Sequence, residues 1–168
     1  TKLHPDEAEW LESQMDLEEI EAMHQLFFDA LLAVSTDCGV LMTHAAPDEK
    51  LSSFERLNQV VLPARGADFQ VVHDMLLAYG QQGETMDRVL EGLSTGPGLP
   101  HDHPLRTLIH GHDRDEDGYY FDDHNQVCPV IFGAPDANKR YVVLDLSKRY
   151  EHVDHFVHGT VLRHLYES

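Results

Sequence analysis

Between positions 107 and 124 the chain reads TLIHGHDRDEDGYYFDDH. Histidine is the commonest protein ligand of transition metals, and carboxylates at alternate positions can converge on a hard cation. His110 and His112 stand two apart after an apolar run, so a strand continuing that far would project both from one face. Gly111 between them instead suits a strand end, where backbone bends or approaches something closely. Asp113-x-Asp115-x-Asp117-Gly118 reproduces the first half of a calcium loop, but its twelfth position, where a bidentate glutamate belongs, is His124. An acidic turn joining two strands, with Asp117-Gly118 as its turn pair, accounts for the same aspartates. His44 ends the apolar run VLMT and enters the small-residue loop HAAP, the kind of place where scaffolded chemistry sits. Two histidines ending two apolar strands can meet at one sheet edge. Other histidines have plainer expectations: His101 and His103 lie in a Pro/Gly loop and read as surface, and His152, His155, His158 and His164 read as partly exposed hairpin positions.

The elements that must position these residues follow from periodicity. Residues 5–33 are acidic and helical in propensity, with Trp10, Leu11, Met15, Leu17, Ile20, Met23, Leu26 and Phe27 near 3.6-residue spacing. Pro5, Asp6 and Glu7 suit a helix start, and the segment predicts one broken or two consecutive helices with those apolar positions as core. VLMTH predicts a buried strand, and residues 51–62 are ambiguous. Over 67–80, apolar residues at 69, 72, 76 and 79 predict a helix face closed by Gly80, and ETMDRVLEGL predicts a second helix. Strands are expected in RTLIHGH, GYYFDD, QVCPVIFG, RYVVLDLS, YEHVDHFV and TVLRHLYE. Helices first and strands last predict an α+β fold with an antiparallel or mixed sheet, organised as a single domain over 1–168.

Composition restricts the function. The 168 residues carry 30 acidic against 12 basic side chains, a formal charge of -18 that repels nucleic acid and anionic membranes. Cys38 and Cys128, far apart and each beside an apolar run, suit buried reduced thiols and a cytoplasmic setting. No apolar segment approaches the ~20 residues of a membrane helix, and none reads as a signal peptide. The start at Thr1 rather than methionine raises the expectation of a removed upstream segment.

Three segments together resemble a known family. GVLMTHAAPDE is similar to the stretch of calcineurin-like metallophosphoesterases in which a strand delivers a histidine followed by two small residues. LIHGHDRDEDGYYF resembles the later stretch of the same family, its phosphoprotein phosphatase branch especially, with His112 at the metal-ligand position and Glu116, Asp117, Gly118 and Tyr119 matching the turn. VIFGAPDANKRYVVLDLS resembles the strand, loop and strand that follow, and the three keep the family order across 39–147. The resemblance implies the C-terminal half of a phosphatase α/β sandwich in which His44 and His112 ligate the second of two divalent transition metals, manganese, iron or zinc. Arg114 stands where nuclease-like members have a second histidine, which favours the phosphatase branch. Arg114, Arg106 and Asp136 are candidate substrate contacts, and Arg65, like Arg106, could form bidentate bonds to phosphate.

The family motifs Gly-Asp-x-His, Gly-Asp-x-x-Asp and Gly-Asn-His-Glu, which carry the remaining metal ligands, do not occur in the chain. The implied enzyme hydrolyses phosphomonoesters, phosphoserine or phosphothreonine on proteins or a small phosphoester. It would be inactive without those motifs, so the N-terminal half of the same enzyme is an expected partner. Half a sandwich also predicts an uncovered apolar sheet face, hence that partner or a homo-oligomer. The alternative is a non-catalytic module, either a calcium-binding one using the aspartates or an inactive phosphatase-like scaffold.

Overall fold

The acidic N-terminal segment forms two helices, α1 (Pro5–Ser13) and α2 (Leu17–Asp29), and the break has a local cause. Asp16 accepts the Glu19 backbone N–H through its side chain while the Glu19 carboxylate accepts the Asp16 N–H, both at 2.9 Å. This reciprocal capping box satisfies two otherwise orphaned donors and starts a new helix. The computed structural model describes residues 5–80, 83–113, 115, 117–122, 125–129, 131 and 133–166. The chain divides into two compact units, Thr1–Leu31 and Leu32–Ser168.

Among the described residues of the first unit the expected apolar core is not found. No residue of α2 is buried, and Trp10, Leu17, Leu26 and Phe27 are exposed, with Met15, Ile20 and Met23 half-buried. Two helices of 9 and 13 residues are too short to enclose an interior by themselves.

The second unit is built on a five-stranded sheet. Its strands are β1 (Ala33–Ser35), β2 (Val40–Thr43), β3 (Thr107–Ile109), β4 (Tyr120–Asp122) and β5 (Gln126–Cys128), in spatial order β1-β2-β3-β5-β4. The three central strands β2, β3 and β5 run parallel, Leu41 opposite Leu108 and Ile109 opposite Val127, while β1 and β4 flank them antiparallel. Parallel neighbours need a long crossover, and α3 (Phe54–Asn58), α4 (Ala67–Leu77) and α5 (Gly83–Thr95) supply it between β2 and β3. Helices with a mixed sheet make this an α+β protein, as its sequence predicts. A separate antiparallel pair, β6 (Arg140–Val142) with β7 (Leu162–His164), lies near the C-terminus.

Side chains alternate across the sheet with period two. Leu41 and Leu108 join Leu57, Val71, Met75, Met86, Val89, Leu90 and Leu93 in one cluster with the helices. Val40 and Val127 join Cys38, Tyr150 and Phe156 in a second, packed by Met42, Ile109, Leu144 and Val161. Among the described residues the expected uncovered apolar sheet face is therefore not found: the C-terminal segment fills it. Thr107 Oγ1 donates to the Tyr150 carbonyl at 2.8 Å and Tyr150 N–H to the Cys38 carbonyl at 2.9 Å, fastening that segment to the strands.

Three local expectations are corrected. The buried face of α4 is Val71, Val72 and Met75, whereas Phe69, Leu76 and Tyr79 are exposed, and the helix stops at Leu77 before Gly80. YEHVDHFV is no strand: the His152 side chain accepts the Asp154 N–H and caps a 3-10 turn, Val153–His155, which buries Val153 and Phe156. Ala33, read as the end of the helical segment, instead begins the edge strand β1. Among the described residues no helix is long and apolar enough to cross a membrane.

Candidate metal centre

Parallel strands gather their carboxyl ends at one edge of a sheet, the usual place for ligands in open α/β sheets. His44 directly follows β2, His110 follows β3, and Cys128 ends β5. Gly111 brings the first two segments into backbone contact. Its N–H donates to the His44 carbonyl at 2.7 Å, and a Cβ at Gly111 would stand 3.0 Å from that oxygen. The glycine thus suits a close approach of the two strand ends, where a side chain would crowd the His44 carbonyl.

Beyond Gly111, His112 takes a φ of +72°, the left-handed region that costs a β-carbon residue about 1–2 kcal/mol. The turn aims its ring at His44, with ring centres 5.8 Å apart at 58°, and at Tyr79, with ring centres 5.1 Å apart. With metal–nitrogen bonds of about 2.0–2.1 Å, two imidazoles on one ion have centres roughly 5–6 Å apart. The pair fits a shared ion by that measure, and its mixed exposure, His44 exposed and His112 half-buried, leaves it open to solvent.

His110 does not share a face with His112, because β3 ends at Ile109 and the period-two alternation stops there. Its side chain is fully buried; Nδ1 lies 2.9 Å from the Gly111 carbonyl oxygen and 3.4 Å from Asp113 Oδ2. A ring nitrogen of His110, a carboxylate oxygen of Asp113 and Sγ of Cys128 lie within 4.8 Å of one another. Among the described residues this is the one trio of histidine, cysteine or acidic side chains so arranged.

The aspartate run separates into different duties. Asp113 turns inward, accepting the Gly80 N–H at 3.2 Å. Asp115 accepts the Asp117 N–H at 2.8 Å through its side chain and the Gly118 N–H at 3.2 Å through its carbonyl, so it shapes a turn. Arg140 braces that turn, donating to the carbonyls of Asp117 and Asn138 and lying over the Tyr119 ring at 4.6 Å. The three aspartates do not form a converging group, as the half calcium loop would need.

The other candidates lie elsewhere. Arg106 precedes β3 at the strand end opposite His110, its side chain exposed and its N–H donating to Gly39. Asp136 is exposed in a 3-10 turn and pairs with Lys139 Nζ at 2.7 Å. Arg65 is exposed just before α4. Arg114, Glu116 and His124 lie outside the described residues. His101, expected at the surface, has a side chain only 8% exposed that faces Asp37 in a cavity of about 480 Å³ also lined by Lys148 and Arg149; His103 is exposed.

The loop behind His44 is tethered to α4. Ala45 N–H donates to the Met75 carbonyl at 2.9 Å, and Lys50 Nζ bridges Asp48 at 2.7 Å and Asp74 at 3.2 Å. Partial burial works to raise the Asp74 carboxyl, but hydrogen bonds from Gln70, Lys50 and His73 outweigh it and hold the group below the ordinary carboxylate value. Hydrogen bonds to Asp48 and Asp74 hold the Lys50 ammonium above its ordinary value.

Sequence patterning missed two participants. Tyr79 reads as a core position of α4 and Cys128 as an inert buried thiol. The expected strand QVCPVIFG runs through Cys128, and only the observed end of β5 at that residue brings the thiol to the edge. The fold and the edge define an α+β protein with a histidine-bearing carboxyl edge on a parallel-centred sheet. No protein-family model matches the chain, and no curated protein or solved structure matches it.

Proposed function

We propose that this chain supplies the His44/His112 half of a dinuclear metal centre in a calcineurin-like metallophosphoesterase acting on phosphomonoesters. The observation that carries this reading is the 5.8 Å approach of the two rings at the carboxyl ends of adjacent parallel strands. The motifs that suggested the family lie far apart in sequence, and the parallel pairing of β2 with β3 sets their histidines side by side.

His44 and His112 would hold one ion from one side, with the Gly111 N–H to His44 carbonyl bond keeping their backbones in register. Two neutral imidazoles cannot retain two dications, so the remaining ligands, a bridging carboxylate among them, come from protein segments outside these 168 residues. Such a metal pair, when bound, clamps phosphoryl oxygens and activates the attacking water. On a chain of formal charge -18 it would also provide the positive potential that an anionic phosphoester needs. Buried thiols at Cys38 and Cys128 suit a reducing compartment such as the cytoplasm.

Native mass spectrometry of protein purified under non-denaturing conditions tests the reading. The expected species is a complex with a second polypeptide and two transition-metal ions that hydrolyses para-nitrophenyl phosphate. His112→Ala should lose transition metal at this centre and the hydrolysis, while Asp115→Ala leaves both nearly unchanged. A chain found alone or as a homodimer, with no metal lost on His112→Ala, would overturn the proposal.

A further inference from the structure

We propose that His110, Asp113 and Cys128 form a second metal site, specific for a borderline-soft dication such as zinc and distinct from the His44/His112 pair. It does not rest on the phosphoesterase reading, since the two ligand sets share no residue.

The donor set is the first argument. Thiolate, imidazole and carboxylate are the three side-chain ligands zinc takes, and a thiolate discriminates against magnesium, calcium and manganese. Their ligand atoms already lie within 4.8 Å of one another. Because His110 Nδ1 points at the Gly111 carbonyl at 2.9 Å and must donate to it, Nε2 is the nitrogen that would take the ion. Donors on a tetrahedral zinc, with bonds of about 2.0–2.3 Å, are separated by roughly 3.3–3.6 Å, so the trio closes on an ion by a movement of about 1 Å.

Enclosure is the second. His110 and Cys128 are buried and the Asp113 side chain is 15% exposed, so an ion there would sit largely out of water. Asp113 Oδ1 is satisfied by the Gly80 N–H, but Oδ2 is an enclosed atom that takes no hydrogen bond. An enclosed carboxylate oxygen in that condition is costly, and a cation removes the cost. Room for the ion's fourth ligand exists beside Gly80, where a Cβ would meet Asp113 Oδ2, Gln126 Oε1 and His110 Cε1, all at 3.4–3.5 Å. Gln126, fully buried, is an additional oxygen donor at the same spot.

The topology is the third. The ligands come from the end of β3, the segment after it and the end of β5, so one ion would cross-link two parallel strands to the turn that carries His112. Metal binding requires loss of the Cys128 thiol proton to solvent and leaves the ion's charge balanced by thiolate and carboxylate.

The test is cobalt substitution in the metal-stripped full chain. One equivalent of Co²⁺ should produce a thiolate-to-cobalt charge-transfer absorption and the intense visible bands of a four-coordinate ion. Cys128→Ser should abolish the charge-transfer band, and Asp113→Asn should weaken affinity more than about tenfold, since even outer-shell changes typically cost 10–100-fold. Cys38→Ser and His44→Ala should keep the band, which separates this site from both the other thiol and the histidine pair. X-ray absorption on the zinc-loaded unmodified chain gives a check that no variant's folding can confuse, with one sulfur scatterer expected at about 2.3 Å. No thiolate band in the unmodified chain, a band surviving Cys128→Ser, or a zinc shell lacking sulfur would each overturn the proposal.

Discussion

At the scale of the residue, the chemistry turns on two adjacent positions with opposite demands on the backbone. Gly111 favours the absence of a side chain because the His44 carbonyl stands 3.0 Å from where its Cβ would be, a contact that would push that oxygen back by a few tenths of an ångström. That oxygen also accepts the Gly111 N–H, so it cannot easily retreat. Gly111→Ala is therefore expected to cost about 1–3 kcal/mol by overpacking, measured by denaturant unfolding, and to weaken metal retention by separating the two histidines. An unchanged midpoint would show that the approach is looser than described. His112 keeps a side chain at a φ of +72°, where glycine would be at ease. His112→Gly should then be more stable than His112→Ala by about 1 kcal/mol, although both lose transition metal; equal stabilities would remove the argument that this residue bears strain for its ring. The residue types and the glycine between the histidines were legible in the sequence. The division of His110 from His112 was not, because it depends on β3 ending at Ile109 rather than continuing.

At the scale of the element, the loop that presents His44 is held by α4 through Lys50 and Asp74. The Asp74 carboxyl lies below its ordinary value in the folded chain, so its contribution to stability is fully present above the unfolded value of about 3.9 and is lost as pH falls through the folded one. Asp74→Asn should flatten the acid limb of the thermal stability profile below about pH 4 while changing the slope near neutrality little. Parallel acid limbs for variant and parent would mean that the pair contributes nothing in solution. Lys50 is largely exposed, so solvent screens its share. Elements were legible where a local signal stood alone, as for α5, whose buried Met86, Val89, Leu90 and Leu93 follow the predicted helix. They were misread where tertiary packing chose among apolar residues. On α4 the sheet-facing side selected Val71 and Met75 and left Phe69 outside, and the helix ends at Leu77, so Tyr79 lies beyond it, exposed, where it meets His112.

At the scale of the whole molecule, every fully buried residue among those described falls between Cys38 and Leu162, inside the second unit. Residues 32–168 alone should therefore retain a single cooperative thermal transition and the cobalt spectrum of the intact chain. A fragment with near-native far-ultraviolet but no near-ultraviolet circular dichroism would show instead that residues 1–31 complete the core. The C-terminal segment is part of that unit's core, since Tyr150 and Phe156 cover the sheet face that half a sandwich was expected to leave bare.

The sequence by itself determined what is local: the helix and strand content of an α+β class, the chain's acidic character, the buried thiols, the Asp117-Gly118 turn and the histidines placed at strand ends. Tertiary structure alone decided which of those ends meet. Parallel pairing of β2, β3 and β5 joins segments separated by a three-helix crossover and by the edge strand β4, and no short-range pattern encodes a partner that distant. That pairing places His112 beside His44, and His110 and Asp113 beside Cys128.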